Sequence, residues 1–184
     1  WIPRPESPLG GNGESFASIN IRLTASCGNG NDGVHSNRSI VDVEYCTLAT
    51  NQGDGLDMRW TSGNIVKSSV LAGNSGYGMT CLTASPDNGY NCVWGNTAGG
   101  YNNCSAGPGA ISEDPIFCDA AAGDVRVHAT SPTLGAGEFG EDMGALGIGC
   151  PAGPSDLSVV QNGASLELSW VPPARVPVDH YVVY

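Results

Sequence analysis

The chain has 184 residues, of which 14% are charged and 27 are glycine, and its formal net charge is −11 at pH 7. This length fits one domain or one domain and part of another, and low charge with abundant glycine favours a turn-rich β protein over a helical one. The excess of 18 Asp and Glu over 7 Lys and Arg argues against nucleic acid and anionic membrane surfaces as partners. No run approaches the roughly 18 apolar residues that span a bilayer, so we expect no membrane insertion.

The cysteines indicate an oxidising location. None forms a C-x-x-C pair, and no histidine lies near them at zinc-ligand spacing, which argues against zinc. We expect a secreted or cell-surface protein with one or two disulfides, and the odd count leaves at least one thiol unpaired within the chain. The seven are Cys27, Cys46, Cys81, Cys92, Cys104, Cys118 and Cys150.

The first 18 residues, rich in proline and glycine, predict a long loop or an incomplete preceding turn. They lack the features of a signal peptide, and the chain closes on an apolar run at 181–184. We therefore expect the sequence to be part of a longer polypeptide.

One phrase, an asparagine followed four places later by a glycine and then by an apolar residue, occurs four times between positions 29 and 103. The spacings between successive asparagines are 22, 23 and 22 residues, the signature of a stacked-repeat fold. The asparagines are Asn29, Asn51, Asn74 and Asn96, and the glycines are Gly33, Gly55, Gly78 and Gly100.

Short strands and turns alternate along these repeats. Residues 19–23 alternate apolar and polar and predict a strand, and 40–48 are rich in β-branched and aromatic residues. The turn at 51–55 is followed by a further alternating strand at 56–60. A turn at 61–64 and apolar residues at 65–71 begin the next repeat, and 85–89 carries a strong turn signal.

Such a unit cannot bury its apolar face alone, and stacking gives each strand a parallel neighbour about 4.8 Å away. Equal repeat positions then form ladders: an amide ladder of the four asparagines, and an apolar ladder of Val34, Leu56, Met79 and Tyr101. We expect the glycine of each phrase to supply the backbone conformation of a sharp corner. A leucine-rich repeat requires Leu two places after the asparagine, where this chain has Asn31, Gly53, Gly76 and Ala98.

The repeats resemble the coils of right-handed parallel β-helix proteins of the pectate-lyase-like type, at about 22 residues per coil. Residues 91–97 and 111–119 are similar to the last coil of bacterial surface β-helix proteins, and the resemblance continues at 123–127, 131–133 and 143–147. It spans roughly residues 19–150. The family often has a Cys pair near Thr133 and Met143, which this chain lacks. Because it includes polysaccharide lyases, hydrolases and adhesins, the resemblance constrains the fold more than the function.

We therefore predict an all-β protein with β-helix coils at residues 1–104 and a C-terminal cap at 105–150. The cap is expected to cover unpaired strand edges and the open core, and its seven acids against Arg126 discourage end-to-end stacking. Cys118 and Cys150 flank it, and we predict a disulfide between them.

Residues 151–184 resemble the first strands of a fibronectin type III domain. Two short alternating strands surround residues 161–163, and the resemblance implies that Trp170 is the core tryptophan and 181–184 the third strand. Only about a third of a domain of roughly 100 residues is present.

An acidic ladder is the first candidate for chemistry. Asp32 stacks over Asp54, and His35 falls at the repeat position of Asp57. These carboxylates suit cleavage of a glycosidic bond, or Ca²⁺ binding by Asp32, Asp54 and Asp57. The alternative is that they are polar corner residues facing solvent. No cofactor other than Ca²⁺ is indicated.

A base for uronate elimination, which the family resemblance implies, would be Lys or Arg. Arg38 and Arg59 lie near Asp57, and with Asp54 these are the candidate catalytic residues, although none sits in a recognisable lyase motif. An Arg beside an Asp is more often a surface ion pair of small energetic value.

Exposed rings on a flat strand face stack on sugars, which makes Trp60 and Tyr77 candidates for carbohydrate binding. Trp94 and Tyr101 are interpreted instead as covering the core near the last coil.

We expect an extracellular structural or adhesive surface that faces carbohydrate or cell-envelope components. The alternative is part of a polysaccharide lyase or glycoside hydrolase whose groove lies mostly on coils outside this sequence. Convergence of acids and a base on one groove would favour an enzyme, and short polar ladders without convergence would favour a stalk.

Overall fold

The computed structural model describes residues 17–150, 155–162 and 165–171. The first coil contains β1 (Ser18–Arg22), β2 (Ala25–Cys27) and β3 (Val34–Asn37), and the second contains β4 (Ile40–Glu44), β5 (Thr47–Ala49) and β6 (Leu56–Arg59). The third contains β7 (Ser62–Lys67), β8 (Val70–Ala72) and β9 (Tyr77–Leu82), and the fourth contains β10 (Ser85–Gly89), β11 (Cys92–Trp94) and β12 (Gly99–Asn102).

Each coil contributes one strand to each of three parallel sheets. Sheet I has the order β1-β4-β7-β10, sheet II the order β2-β5-β8-β11 and sheet III the order β3-β6-β9-β12. The chain is therefore a parallel β-helix with a coil of about 22 residues, as predicted. Connections between parallel strands of one sheet are right-handed as a rule, and this is the hand predicted for the β-helix.

The apolar ladder forms the centre of the core. In sheet III, Val34 pairs with Leu56, Leu56 with Met79, and Met79 with Tyr101, which confirms the predicted register. Leu56 and Met79 are fully buried, while Val34 and Tyr101 at the two ends are partly buried against the same cluster.

The four asparagines form a continuous hydrogen-bonded column. The side-chain Nδ2 of Asn29 donates to Asn51 Oδ1 at 2.8 Å, Asn51 to Asn74 at 2.9 Å, and Asn74 to Asn96 at 2.8 Å. The backbone N–H of each of the first three also donates to the next Oδ1. The column therefore satisfies backbone donors at a corner where no strand partner exists.

The prediction that the glycines of the repeated phrase supply a special backbone conformation at the corner is wrong. Gly33, Gly55, Gly78 and Gly100 are not among the residues with positive φ. A Cβ built on Gly55 would lie 2.7 Å from Gly78 O and 2.9 Å from Asn74 Nδ2. Gly33, Gly55 and Gly78 are required because adjacent coils approach too closely beside the asparagine column for any side chain, whereas a Cβ on Gly100 would meet only Val93 Cγ1 at 3.4 Å.

The left-handed corner conformations fall mostly on other residues. One corner of each coil places Leu23, Tyr45, Ser68 and Tyr90 at φ between 49° and 55°. A second corner has φ of 55° at Arg38, 58° at Trp60 and 53° at Thr83. Because the same positions recur from coil to coil, this geometry belongs to the fold rather than to one site.

The segment after the fourth coil first extends the stack. Ile111 forms a parallel bridge with Cys92, and Val93 N donates to Ile111 O at 3.0 Å. It then forms β13 (Phe117–Asp119), a 3₁₀ turn at Ala120–Ala122, β14 (Asp124–His128), a second 3₁₀ turn at Glu138–Gly140, and β15 (Ile148–Cys150). β14 pairs antiparallel with β13 and parallel with β15.

Part of this segment lies along the side of the coils, against sheet II, and not only over an end. Met143 is 1% exposed and packs with Val70, Ala72 and Cys92. Gly144 N donates to Ser68 O at 2.8 Å. The outer face of sheet II is therefore a second apolar interface.

Two disulfides join these parts. Cys118 and Cys150 are bonded across the cap. Cys81 and Cys104 are also bonded, a pairing that the sequence analysis did not propose, and it ties β9 to the end of the fourth coil.

Beyond the cap, β16 (Ser155–Asn162) and β17 (Ser165–Val171) form an antiparallel hairpin. The predicted third strand at 181–184 lies outside the described residues, and the fibronectin type III assignment stays a prediction. Among the described residues no helix has the length and apolar character needed to cross a membrane.

Candidate functional site

The outer face of sheet III carries a row of polar side chains in register. His35 pairs with Asp57, Asp57 with Thr80, and Asn102 also pairs with Thr80. Because Leu56 and Met58 on either side of Asp57 belong to the core, strand alternation directs this row away from the core.

Asp57 is the central residue of the group. It is 1% exposed. Its Oδ2 accepts a hydrogen bond from Arg59 Nε at 2.8 Å and forms an ion pair with Arg59 Nη2 at 2.6 Å. The hydrogen bond to Asp57, with the charges of Asp57, Asp32 and Asp54, raises the pKa of Arg59. Arg59 is therefore held in its protonated form.

His35 bridges two carboxylates. Its Nδ1 lies 3.2 Å from Asp32 Oδ2 and 3.2 Å from Asp57 Oδ2. The side chain of His35 is 44% exposed. The ligand atoms of Asp32, His35 and Asp57 all lie within 4.8 Å of one another, and we call these three residues the acid–histidine cluster.

Asp32 and Asp54 also have a structural role. Asp32 Oδ1 accepts a hydrogen bond from Asp54 N at 2.8 Å, and Asp54 Oδ1 accepts one from Tyr77 N at 2.7 Å. A Cβ on Gly53 or Gly76 would collide with the Asp32 or Asp54 carboxylate. The expected carboxylate ladder is thus partly a means of joining successive corners.

The candidate catalytic and calcium residues separate in the structure. Asp57 and Arg59 are paired, whereas Asp54 is outside the acid–histidine cluster. Arg38 N donates to Arg59 O, but the register places Asn37, not Arg38, opposite Arg59. Arg38 instead occupies the corner position of Trp60, because its spacing from Arg59 is one residue short of a coil.

The aromatic candidates also differ from one another. Trp60 is 54% exposed at the corner that follows β6, and Tyr77 is partly exposed at the start of β9. Tyr101 packs against the core as interpreted, whereas Trp94 is 38% exposed.

The repeat pattern places His35 at the position of Asp57, but it does not by itself identify His35 as a catalytic or metal-binding residue. The signal that identifies it is the combination of Asp32-x-x-His35 with Asp57 one coil away. Each half is weak alone, and only the parallel register makes the three residues neighbours.

The described coils thus define a parallel β-helix with a buried Asp57 paired to an exposed Arg59, and an acid–histidine cluster on the same outer face. The chain matches no protein-family model, no curated protein and no solved structure. The residues on the outer face of sheet III are therefore the basis for inferring its function.

Proposed function

We propose that the chain is part of an extracellular adhesive protein and that the outer face of sheet III binds carbohydrate. The observation that carries the proposal is the 54% exposure of Trp60 directly after the Arg59–Asp57 pair. An exposed indole ring offers an apolar surface on which a sugar ring stacks, and neighbouring charged and amide groups bind its hydroxyls.

The rigidity of the coils supports an adhesive role. Asn51 and Asn74 are each 1% exposed and hydrogen-bonded to the coils on both sides. The backbone under the face is therefore held in place before a ligand arrives, which lowers the entropy cost of binding.

Polysaccharide cleavage is the second candidate, and the convergence of Asp32, Asp57 and Arg59 is the observation that favours it. Two features weigh against it. Arg59 is held protonated by Asp57 and is a poor proton acceptor, and Asp57, at 1% exposed, has little access to a substrate. Binding without cleavage is the better interpretation.

The test is binding of immobilised neutral and anionic polysaccharides, followed by calorimetry on those that bind. We expect Trp60→Ala to weaken binding at least tenfold. Trp94→Ala is the matched control, because Trp94 is an exposed tryptophan on sheet II, and it should bind as the parent chain does.

Absence of binding to every polysaccharide, or equal losses in the two variants, would contradict the proposal. Absorbance of an unsaturated uronate product during incubation with anionic polysaccharides would favour the lyase alternative instead.

A further inference from the structure

We propose that the acid–histidine cluster binds one divalent transition-metal ion through the His35 imidazole and the carboxylates of Asp32 and Asp57. The inference does not depend on carbohydrate binding by the same face.

The spacing of the three side chains fits such an ion. His35 Nδ1 lies 3.2 Å from each of the two carboxylate oxygens. Ligand atoms about 2.1 Å from a tetrahedral Zn²⁺ are themselves about 3.4 Å apart. A ring nitrogen carries at most one proton, so a hydrogen bond serves two acceptors poorly, whereas an ion in the position of that proton binds both.

A second observation comes from the other oxygen of Asp57. Oδ2 is occupied by Arg59 and His35, but Oδ1 is buried without a hydrogen-bond partner. Leaving a buried acceptor unsatisfied is unfavourable, and more so when the group is charged. A cation that contacts both oxygens of the Asp57 carboxylate would supply the missing interaction.

The local charge also favours a cation. Asp32, Asp54 and Asp57 all act electrostatically on Arg59, so three negative charges face one positive charge. With His35 neutral, as a ligand must be, the excess of two negative charges equals the charge of a divalent ion. Arg59 uses Asp57 Oδ2 and therefore does not occupy the free oxygen.

The donor set selects the class of metal. Ca²⁺ and Mg²⁺ take oxygen ligands, whereas Zn²⁺ and its neighbours bind imidazole together with carboxylate. The cluster therefore differs from the Ca²⁺ site expected at Asp32, Asp54 and Asp57. No thiolate contributes to the cluster, so the unsuitable spacing of the cysteines for zinc does not bear on it. His35 is 44% exposed, so solvent or an external ligand reaches the remaining coordination position.

The experiment uses the chain after treatment with a chelator, titrated with Zn²⁺ at neutral pH by calorimetry. We expect one Zn²⁺ per chain and at least a tenfold loss of affinity in His35→Ala. Millimolar Ca²⁺ should not displace micromolar Zn²⁺. Co²⁺ bound in place of Zn²⁺ should absorb in the visible without a thiolate charge-transfer band.

Two control variants separate this site from adventitious binding. His128→Ala removes a histidine that contacts Thr130 in the cap, and Cys27→Ser removes the partly exposed free thiol. Both should bind Zn²⁺ within twofold of the parent chain. Because Asp57 is buried, the Zn²⁺ affinity of Asp57→Asn counts only if its circular dichroism spectrum matches that of the parent chain. His35→Gln is a second substitution at the exposed histidine, and its Zn²⁺ affinity should fall as that of His35→Ala does. Absence of Zn²⁺ binding, equal binding in His35→Ala, or loss in Cys27→Ser would overturn the proposal.

Discussion

At the scale of single residues, the glycine of one phrase and the asparagine of the next act as a pair. The amide of Asn74 donates to Asn96 Oδ1 and to Leu48 O. Gly55 lies against this amide, and its missing side chain lets the next coil approach. The pair explains why the two residue types recur at a fixed separation: one makes the inter-coil hydrogen bonds, and the other removes the steric obstacle to them.

Gly55→Ala is predicted to destabilise the chain by about 2 kcal/mol or more, because its Cβ would overlap backbone and amide atoms that cannot move freely. Gly30→Ala is the matched control, since a Cβ there meets nothing within 4 Å and its φ is not positive. We expect the control to change stability by less than about 0.5 kcal/mol. Urea unfolding followed by circular dichroism measures both, and equal midpoints would contradict this role of Gly55.

At the scale of elements, the seven cysteines have three different fates. Four form the Cys81–Cys104 and Cys118–Cys150 disulfides. Cys46, between β4 and β5, and Cys92, in β11, are buried. Burial raises the pKa of both thiols, that of Cys92 to about 12. Cys27 in β2 is free and partly exposed. We therefore expect the reactivity of each thiol with a labelling reagent to depend on how exposed that cysteine is in the coil.

Thiol titration of the native, unreduced chain should detect one fast group, Cys27. Unfolding in denaturant without reductant should release two more, Cys46 and Cys92, because only a thiolate in contact with reagent reacts. Cys27→Ser should abolish the fast phase and leave the slow one. Mass mapping that finds Cys118 and Cys150 both labelled would contradict the cap disulfide.

At the scale of the whole molecule, the apolar core of the β-helix must be closed at its end. Tyr101 occupies the last rung of the apolar ladder. Its hydroxyl is buried without a hydrogen-bond partner, and burial raises its pKa to about 12. The ring thus completes the core at the cost of an unsatisfied polar atom. Burial therefore disfavours the ionised form of this group in the folded chain.

Stability is predicted to fall as pH rises from about 9 to 12. The folded-state pKa values of Tyr101 and Cys92 lie above their ordinary values of 10.0 and 9.0, so the folded chain binds these protons more tightly. Their contribution is complete below pH 9 and is lost as pH approaches 12. Tyr101→Phe should remove part of this slope, on the order of 2 kcal/mol between pH 10 and 12, and leave stability at pH 7 unchanged or higher.

The measurement is urea unfolding at a series of pH values, with the partly exposed thiol of Cys27 alkylated beforehand in the native chain. An identical pH dependence in the parent chain and Tyr101→Phe would show that the buried hydroxyl is not linked to folding.

The sequence alone is enough to predict the coil, because Asn29, Asn51, Asn74 and Asn96 repeat at a period typical of stacked strands. It also determined which side chains share a rung, such as His35 and Asp57, since parallel pairing in register follows from the period. It did not determine why the glycines are present, because steric contact between coils depends on their separation and not on spacing along the chain.

What lies outside the coil does not follow from the repeat and is seen only in the folded chain. The packing of Met143 against Val70 depends on the path of a segment without a repeat, for which the sequence carries no periodic signal. The exposure of Trp60, the burial of Asp57 beside Arg59 and the approach of Asp32 to His35 likewise depend on side-chain placement at the corners. The architecture is periodic and can therefore be predicted from the sequence. The acid–histidine cluster, in contrast, arises where one coil differs from its neighbours.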